Sequence, residues 1–122
     1  MYRAFALAGS LSALIAVAAG AFGAHALRAR LTEDLLVVFE TAARYQMYHA
    51  FALLFVAWAT TQWPSTTLVV AGILFLGGTV LFSGSLYLLA LTGARWWGAV
   101  TPVGGLCLLG GWLALAVGLW RR

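Results

Sequence analysis

The chain has 122 residues, of which 64% are hydrophobic and 8% are charged, and its mean hydropathy is +0.99. A soluble domain carries about 25% charged residues, so this composition excludes a water-soluble globular domain, and it equally excludes a disordered chain. The seven basic residues are all Arg and lie singly or in pairs, so the net charge of +4 does not form a nucleic-acid-binding patch. The composition therefore predicts a small integral membrane protein.

Four apolar runs of about 20 residues predict four transmembrane helices. In chain order the spans are expected at about 4–24, 45–62, 67–91 and 99–120, within one membrane domain that covers residues 1–122. The first run also has the basic residue, apolar stretch and small residues of a signal peptide, but we expect it to be retained as a span. The predicted fold is all-α, a four-helix transmembrane bundle with both termini on one side.

Residues 32–44, between the first two spans, predict an amphipathic helix. Thr32 is a suitable N-cap residue, and Glu33 and Asp34 fall in the first turn, where the helix dipole favours negative charge. Apolar residues share one face and charged residues the other, which is typical of a helix lying on the membrane surface. The alternatives are a helix that packs against a partner and a simple extension of the second span.

Small residues recur at every fourth position of the first span and cluster again in the fourth span. Helices in lipid associate largely through close packing of such residues. We interpret these faces as packing within the bundle, with a homo-oligomer interface as the alternative. The residues predicted to pack helices together are Ala8, Ser12, Ala16, Gly20, Ala24, Gly84, Gly104 and Gly105.

The polar residues of the spans gather in one half of the bilayer. Successive helices alternate direction, so the end of the first span, the start of the second, the end of the third and the start of the fourth lie on the same side. Polar groups in a membrane are energetically costly and often functional, so we predict a one-sided polar pocket and no through-pore. The predicted binding cluster comprises His25, Tyr45, Gln46, His49, Ser83, Ser85, Tyr87 and Thr101.

Each of these polar residues also has a structural interpretation. Ser and Thr in membrane helices commonly bond their own backbone, and the two His residues could be bonded to backbone or tyrosine. Thr79 lies on the same face of the third span as Ser83 and Tyr87, at a spacing of four.

Four arginines lie on the side of the predicted cluster and could hold an anionic lipid headgroup. They are Arg28, Arg30, Arg44 and Arg95. Three Arg lie on the other side, so the positive-inside rule does not decide the orientation. Arg121 and Arg122 directly follow the fourth span and favour cytoplasmic termini.

The sequence offers no recognisable catalytic set. No acidic or basic residue lies at mid-membrane, which argues against a proton-coupled exporter, and no Ser-His-Asp or HExxH pattern is present. We therefore predict no catalytic residue, no metal site and no cofactor.

Four short motifs resemble those of the domain of unknown function 423 (YgdD-like) family. The motifs are Gly20-Ala-Phe-Gly-Ala-His25-Ala-Leu27, Tyr45-Gln-Met-Tyr-His49, Leu81-Phe-Ser-Gly-Ser-Leu-Tyr87, and Thr101-Pro-Val-Gly-Gly105 followed by Gly111-Trp112. The resemblance covers essentially the whole chain. It implies a four-span protein of the bacterial inner (cytoplasmic) membrane, and it implies no settled activity and no catalytic residue.

Three functions remain open at this point. The small-residue faces and the missing catalytic set favour a non-catalytic scaffold or assembly protein, working as a homo-oligomer or with a membrane protein partner. The alternative is binding or transport of a small molecule or lipid through the polar pocket. A second alternative is a redox protein with haem or metal on His25 and His49, although two His without Cys make a poor ligand set. No nucleic-acid partner is expected.

Overall fold

The computed structural model describes residues 1–122 and consists of helices joined by short turns, which confirms the all-α prediction. The first span is α1 and α2 joined by a π-helical segment at Ala18–Gly23, and a 3₁₀ segment at Arg95–Ala99 leads into the last helix. The α-helices, in chain order, are α1 (Tyr2–Val17), α2 (Ala24–Leu27), α3 (Glu33–Gln62), α4 (Thr66–Thr92) and α5 (Thr101–Trp120).

Three of the four long helical segments are long and apolar enough to cross a membrane: Tyr2–Leu27, Thr66–Thr92 and Arg95–Trp120. The predicted second span lies in α3, which does not meet that criterion because polar residues occupy both ends of the span, at 45–49 and 60–62. However, α3 packs against both α1 and α4. Helix α3 therefore crosses the membrane alongside the two apolar helices next to it.

The helix predicted over 32–44 is present, but it forms the first turns of α3 and is not a separate element. Thr32 occupies the N-cap position and Glu33 and Asp34 the first turn, as the sequence predicts. One face of this segment is buried because Phe39 packs with Ala24 of α2 and Ala90 of α4 in a small cluster of their own. The structure thus matches the alternative in which this segment extends the second span.

Helix α5 fits onto α4 through glycine notches at a spacing of seven. Gly104, Gly111 and Gly118 of α5 face Phe82, Phe75 and Leu68 of α4, respectively. A Cβ at Gly111 would lie 2.7 Å from the Phe75 ring, and one at Gly104 would collide with the backbone of Phe82. The missing side chains therefore let the two helices approach as closely as small-residue interfaces in membranes do.

Helix α1 packs mainly against α3, and the predicted row of small residues accounts for much of this contact. Ala16 and Ala24 are buried, Ala8 packs against the core, and a Cβ at Gly20 would lie 3.5 Å from Ala43. Gly9 is not part of the predicted row, but it also lets α1 approach α3 closely. A Cβ at Gly9 would lie 2.9 Å from the carbonyl oxygen of Ala50.

One predicted packing residue is wrong within the bundle. Gly84 has no atom within 4 Å of the place where its Cβ would be, so no neighbouring helix approaches it. Gly105 is only loosely packed, because its nearest neighbours are ring atoms of Phe82 at 3.8 and 3.9 Å. The close contact in this part of α5 belongs to Gly104 instead.

Both termini lie at the end of the bundle formed by the turn between α3 and α4. Met1 and Tyr2 line a surface depression together with Thr66, and Gly118 packs on Leu68. The opposite end carries the connections between α2 and α3 and between α4 and α5. Gly93 ends α4 with φ +71°, a left-handed conformation that glycine adopts without strain.

Candidate functional site

Gln46 is the hub of a polar chain that joins three helices. The Tyr87 hydroxyl of α4 donates to Gln46 Oε1 of α3 at 2.6 Å. Gln46 Nε2 in turn donates to Ser12 Oγ of α1 at 3.2 Å. Gln46 is 7% exposed, so its amide depends on these partners for hydrogen bonding. The chain of bonds ties α1, α3 and α4 together near the middle of the bundle.

His49 has both ring nitrogens engaged by the protein. Its Nδ1 lies 2.7 Å from the Tyr45 carbonyl oxygen, and Trp112 Nε1 of α5 donates to its Nε2 at 3.0 Å. Since a carbonyl only accepts and an indole N–H only donates, the hydrogen bonds assign a neutral ring with its proton on Nδ1. Neither nitrogen then has a free lone pair for a metal or haem iron.

Two buried serines of α4 form hydrogen bonds to two different neighbouring helices. The Ser83 hydroxyl donates to the Ala42 carbonyl oxygen of α3 at 2.8 Å. The Ser85 hydroxyl lies 2.6 Å from Thr101 Oγ1 of α5 and 3.0 Å from the Phe82 carbonyl oxygen. Both serines are buried, so these bonds replace the water that their hydroxyls lack in the membrane.

Thr79 is the exception among the buried polar side chains. It is 8% exposed, and its hydroxyl has no hydrogen-bond partner. Thr41 and Thr92 each donate to the carbonyl four residues back, at 2.8 and 2.5 Å. Such a hydrogen bond to the helix's own backbone is common for Thr in helices, but Thr79 does not form one.

Two grooves open sideways from the bundle, each between two helices that contact each other only locally, through Phe5 and Gly72 in one case and through Trp112 and His49 in the other. The first lies between α1 and α4, has a volume of about 410 Å³, and is lined by Ala8, Leu11, Ser12, Ile15, Gln46, Leu76, Thr79, Val80, Ser83, Gly84 and Tyr87. The second lies between α3 and α5, has a volume of about 520 Å³, and is lined by Tyr45, His49, Phe82, Pro102, Gly105, Leu106, Leu108, Leu109 and Trp112.

The predicted polar cluster is therefore divided between the bundle interior and two grooves. Gln46, Ser83 and Tyr87 line the first groove, and Tyr45 and His49 line the second. Ser85 and Thr101 join α4 to α5 and line neither groove.

His25 does not join the cluster. Its side chain is exposed and makes no hydrogen bond. The π-helical segment directly before it, Ala18–Gly23, has a wider turn than an α-helix, which changes the face on which later residues lie. His25 and His49 are not brought together, and no group of three or more His, Cys, Asp or Glu is placed to hold a metal ion.

Sequence reasoning missed two members of the site. The sequence predicts Ser12 only as a packing residue, but it accepts from Gln46. Trp112 is part of a family motif and was not placed in the cluster, but it donates to His49. The signal for Trp112 was its indole N–H, because a Trp inside a span needs an acceptor for that group.

The four predicted headgroup arginines are all exposed, and one of them is paired. Arg95 Nη2 lies 2.8 Å from Asp34 Oδ2, which links the turn before α5 to the start of α3. The hydrogen bond from Thr32 and the hydrogen bond from Arg95 lower the pKa of the Asp34 carboxyl below its ordinary value. Arg28, Arg30 and Arg44 form no ion pair, so headgroup binding by these residues stays a prediction.

The fold and these contacts define a four-helix membrane protein. The family model of proteins of unknown function DUF423 matches residues 19–105, so the chain belongs to this family. It is 44% identical over 119 residues to a UPF0382 membrane protein of Staphylococcus saprophyticus, covering 98% of both chains.

Two further relatives agree with this assignment. The UPF0382 membrane protein YwdK of Bacillus subtilis is 40% identical over 116 residues, covering 94% of both chains. The UPF0382 inner membrane protein YgdD of Escherichia coli is 42% identical over 112 residues, covering 92% of this chain and 86% of YgdD. No solved structure matches the chain.

Proposed function

We propose that the protein is a non-catalytic membrane protein that binds a small apolar or amphipathic molecule within the bilayer. The observation that carries this proposal is the pair of lateral grooves, each with polar side chains among its apolar lining residues. Their volumes fall within the range of about 300–1,000 Å³ that is usual for small-molecule sites. Mostly apolar walls with a few convergent polar groups are likewise the usual composition of such sites.

The hydrogen bonds support binding without chemistry. The imidazole of His49 and the hydroxyls of Ser83 and Ser85 are engaged with other helices. A general base or nucleophile must be able to reach a proton or an atom of the substrate. Each of these groups is already bonded to another helix, and His49 and Ser83 lie in the walls of the grooves.

Native mass spectrometry of the protein released from nanodiscs tests this function. We expect a non-protein mass of fixed stoichiometry on the wild type, and its loss from a variant with both grooves filled, Gly84→Leu together with Gly105→Leu. Neither glycine has a close neighbour, so the filled variant should still fold. A wild-type protein that carries no bound species under these conditions contradicts the proposal.

Assembly with a second copy of this chain is the second candidate function. The observation in its favour is the exposure of the first span: 17% of the residues in its apolar 18-residue stretch are buried, against 39% and 28% for the corresponding stretches of 66–92 and 95–120. Leu7 and Leu14 lie on the exposed face of this span. The row of small residues on α1 does not support assembly, because it packs largely within the bundle.

Cysteine crosslinking in native membranes tests the assembly role. In a background with Cys107→Ser, a cysteine at Leu7 or Leu14 should give a crosslinked dimer, whereas a cysteine at the buried Ala16 should not. If neither outward position yields a dimer in native membranes, α1 is not the interface between copies.

A further inference from the structure

We infer that the groove between α1 and α4 is a site for an uncharged lipid-like molecule that carries a hydroxyl or carbonyl group, and that this group binds at Thr79 and Ser12. This inference rests on the proposed function and names the ligand class for one of the two grooves. The other groove is not required for it.

One residue that lines the groove has an unsatisfied hydroxyl. Thr79 lines the groove, is more than nine-tenths buried, and makes no hydrogen bond within the protein. A buried polar group without a partner is unfavourable, and native structures rarely leave one. A ligand group that accepts from Thr79 or donates to it would remove this penalty.

The polar residues that α4 contributes to the groove are arranged in a line along the helix. Thr79, Ser83 and Tyr87 are four residues apart along α4, so they form a polar line of about 12 Å from mid-span towards the end of the helix. Gln46 and Ser12 lie opposite this line. Ser12 accepts from Gln46, so its own O–H remains available as a donor towards a ligand.

The residues that line the groove carry no charge. The groove is lined by no Asp, Glu, Lys, Arg or His. Neutral hydroxyls and an amide can bind a neutral polar group, but they cannot compensate for a charge buried in the membrane. The polar group of the ligand is therefore uncharged, and its apolar chain lies along Leu11, Ile15, Leu76 and Val80.

The depth of the groove also excludes the headgroups of ordinary bilayer lipids as the bound group. Thr79 is the central residue of α4, and Ser12 lies near the middle of the first span. Charged headgroups stay at the membrane surface, about half of the 30 Å hydrocarbon thickness away. A volume of about 410 Å³ is in the range of small-molecule sites, and it is too small for a transmembrane helix.

The test uses full-length protein in nanodiscs and a 1-hexadecanol probe that carries a photoreactive diazirine and an alkyne. We expect saturable labelling of peptides that contain residues 8–15 and 76–87. The matching hydrocarbon probe without the hydroxyl, and hexadecanoate as the charged probe, should each label them at least several-fold less. Competition with 1-octadecanol and with 2-octadecanone distinguishes a hydroxyl from a carbonyl as the preferred group.

Three variants of α4 make the test specific to the groove. Thr79→Val replaces the hydroxyl with a methyl group of similar size and should weaken probe binding about three- to ten-fold, the effect of one hydrogen bond. Gly84→Leu fills the groove and should abolish saturable labelling. Gly77→Leu is the matched control, because Gly77 also has no atom within 4 Å of its absent Cβ but does not line the groove.

Stability is measured on the same variants. After removal of bound lipid from both proteins, Thr79→Val should unfold at the same temperature as the wild type or higher, because no internal hydrogen bond is lost. A lower unfolding temperature would mean that the hydroxyl has a structural role, and it would overturn the assignment of Thr79.

The remaining outcomes separate this inference from the proposed function. Equal labelling by the alcohol and the hydrocarbon, or unchanged labelling of Gly84→Leu, overturns the inference. Saturable labelling confined to the groove between α3 and α5 overturns it but leaves the proposed function standing. No saturable labelling in either groove, with no retained species in native mass spectrometry, contradicts both.

Discussion

The two outer helices of the bundle are attached in different ways. Helix α5 packs against α4 through three glycine notches, at Gly104, Gly111 and Gly118, and reaches α3 through the hydrogen bond from Trp112 to His49. Helix α1 lies mainly on α3, where Gly9 lets it approach, and it contacts α4 where Phe5 fits against Gly72. A polar groove remains open beyond that contact.

This difference shows a four-helix fold that is closely packed between α4 and α5 and open between α1 and α4. Close packing through the small residues excludes lipid from between α4 and α5, although a second groove stays open between α3 and α5. On the α1 side, the small residues face α3, and the space towards α4 is left to whatever fills the groove. We therefore expect the contacts of α5 to contribute more to the free energy of unfolding than the contacts of α1.

The largest effect is expected at Gly104. Gly104→Ala places a methyl group against the backbone of Phe82, which cannot move aside as a flexible side chain can. We expect a loss of about 3 kcal/mol in the free energy of unfolding, at the upper end for overpacking. Unfolding in mixed detergent micelles, followed by circular dichroism, measures it.

The neighbouring glycine provides the control. Gly105→Ala has no atom within 3.8 Å of the new methyl group and should leave the free energy of unfolding within about 0.5 kcal/mol of the wild type. Equal effects at the two positions would contradict the close approach of α5 to α4.

A smaller effect is expected when the indole bond to His49 is removed. Trp112→Phe keeps an aromatic ring but leaves His49 Nε2 without its donor, and we expect a loss of about 1 kcal/mol in the free energy of unfolding. Trp96→Phe is the control, because Trp96 is exposed, stacks on Trp97 and donates no hydrogen bond. A loss that is no greater for Trp112 than for Trp96 would mean that the bond to His49 contributes no stability.

A still smaller effect is expected on the α1 side. Ser12→Ala removes the acceptor of Gln46 Nε2, a bond of 3.2 Å at the edge of an open groove. Hydrogen bonds between membrane helices average about 0.6 kcal/mol, so we expect a loss of that size or less, with Ser10→Ala, an exposed serine without a hydrogen bond, as control. If Ser12→Ala destabilises the protein more than Gly104→Ala, the α1 side is the tighter one.

The smallest effect concerns the ion pair outside the spans. Because Thr32 and Arg95 lower the pKa of Asp34, the pair contributes to folding at pH values above the ordinary Asp value near 4, and this contribution is lost as the pH falls through the lowered value. In NMR spectra in micelles, the Arg95 side-chain signals should shift only below about pH 4. Asp34→Asn should abolish the shift, and a shift that persists in that variant would mean that Arg95 senses another group.

Much of the fold could be predicted from the sequence, because apolar runs of membrane length leave few alternatives. The helix start at Thr32 and the burial of Ala16 and Ala24 followed from the residue types and their spacing. The seven-residue spacing of Gly104, Gly111 and Gly118 was also visible, but its significance depends on the large residues at the same spacing in α4, on a facing helix that the sequence does not identify.

The candidate site was harder to predict because it depends on helix rotation. His25 was placed in the cluster from its position at the end of the first span, but helix direction does not give the face on which it lies, and its side chain is exposed. The pairing of Trp112 with His49 requires the relative rotation of α3 and α5, which sequence periodicity does not give. The missing partner of Thr79 is a property of three-dimensional contacts, so only coordinates reveal it.

The composition of α3 has a consequence for how the protein enters the membrane. Only the residues from 50 to 59 form an uninterrupted stretch without charged or strongly polar groups, and ten residues span about 15 Å, half of the hydrocarbon layer. An isolated helix of this kind is a weak substrate for the insertion machinery. Helix α4 follows after a turn of three residues, is strongly apolar, and packs along α3. Insertion of α3 and α4 as one hairpin gives Gln46 Oε1 its bond from Tyr87 as the span crosses, so we expect insertion of α3 to depend on the helix that is synthesised after it.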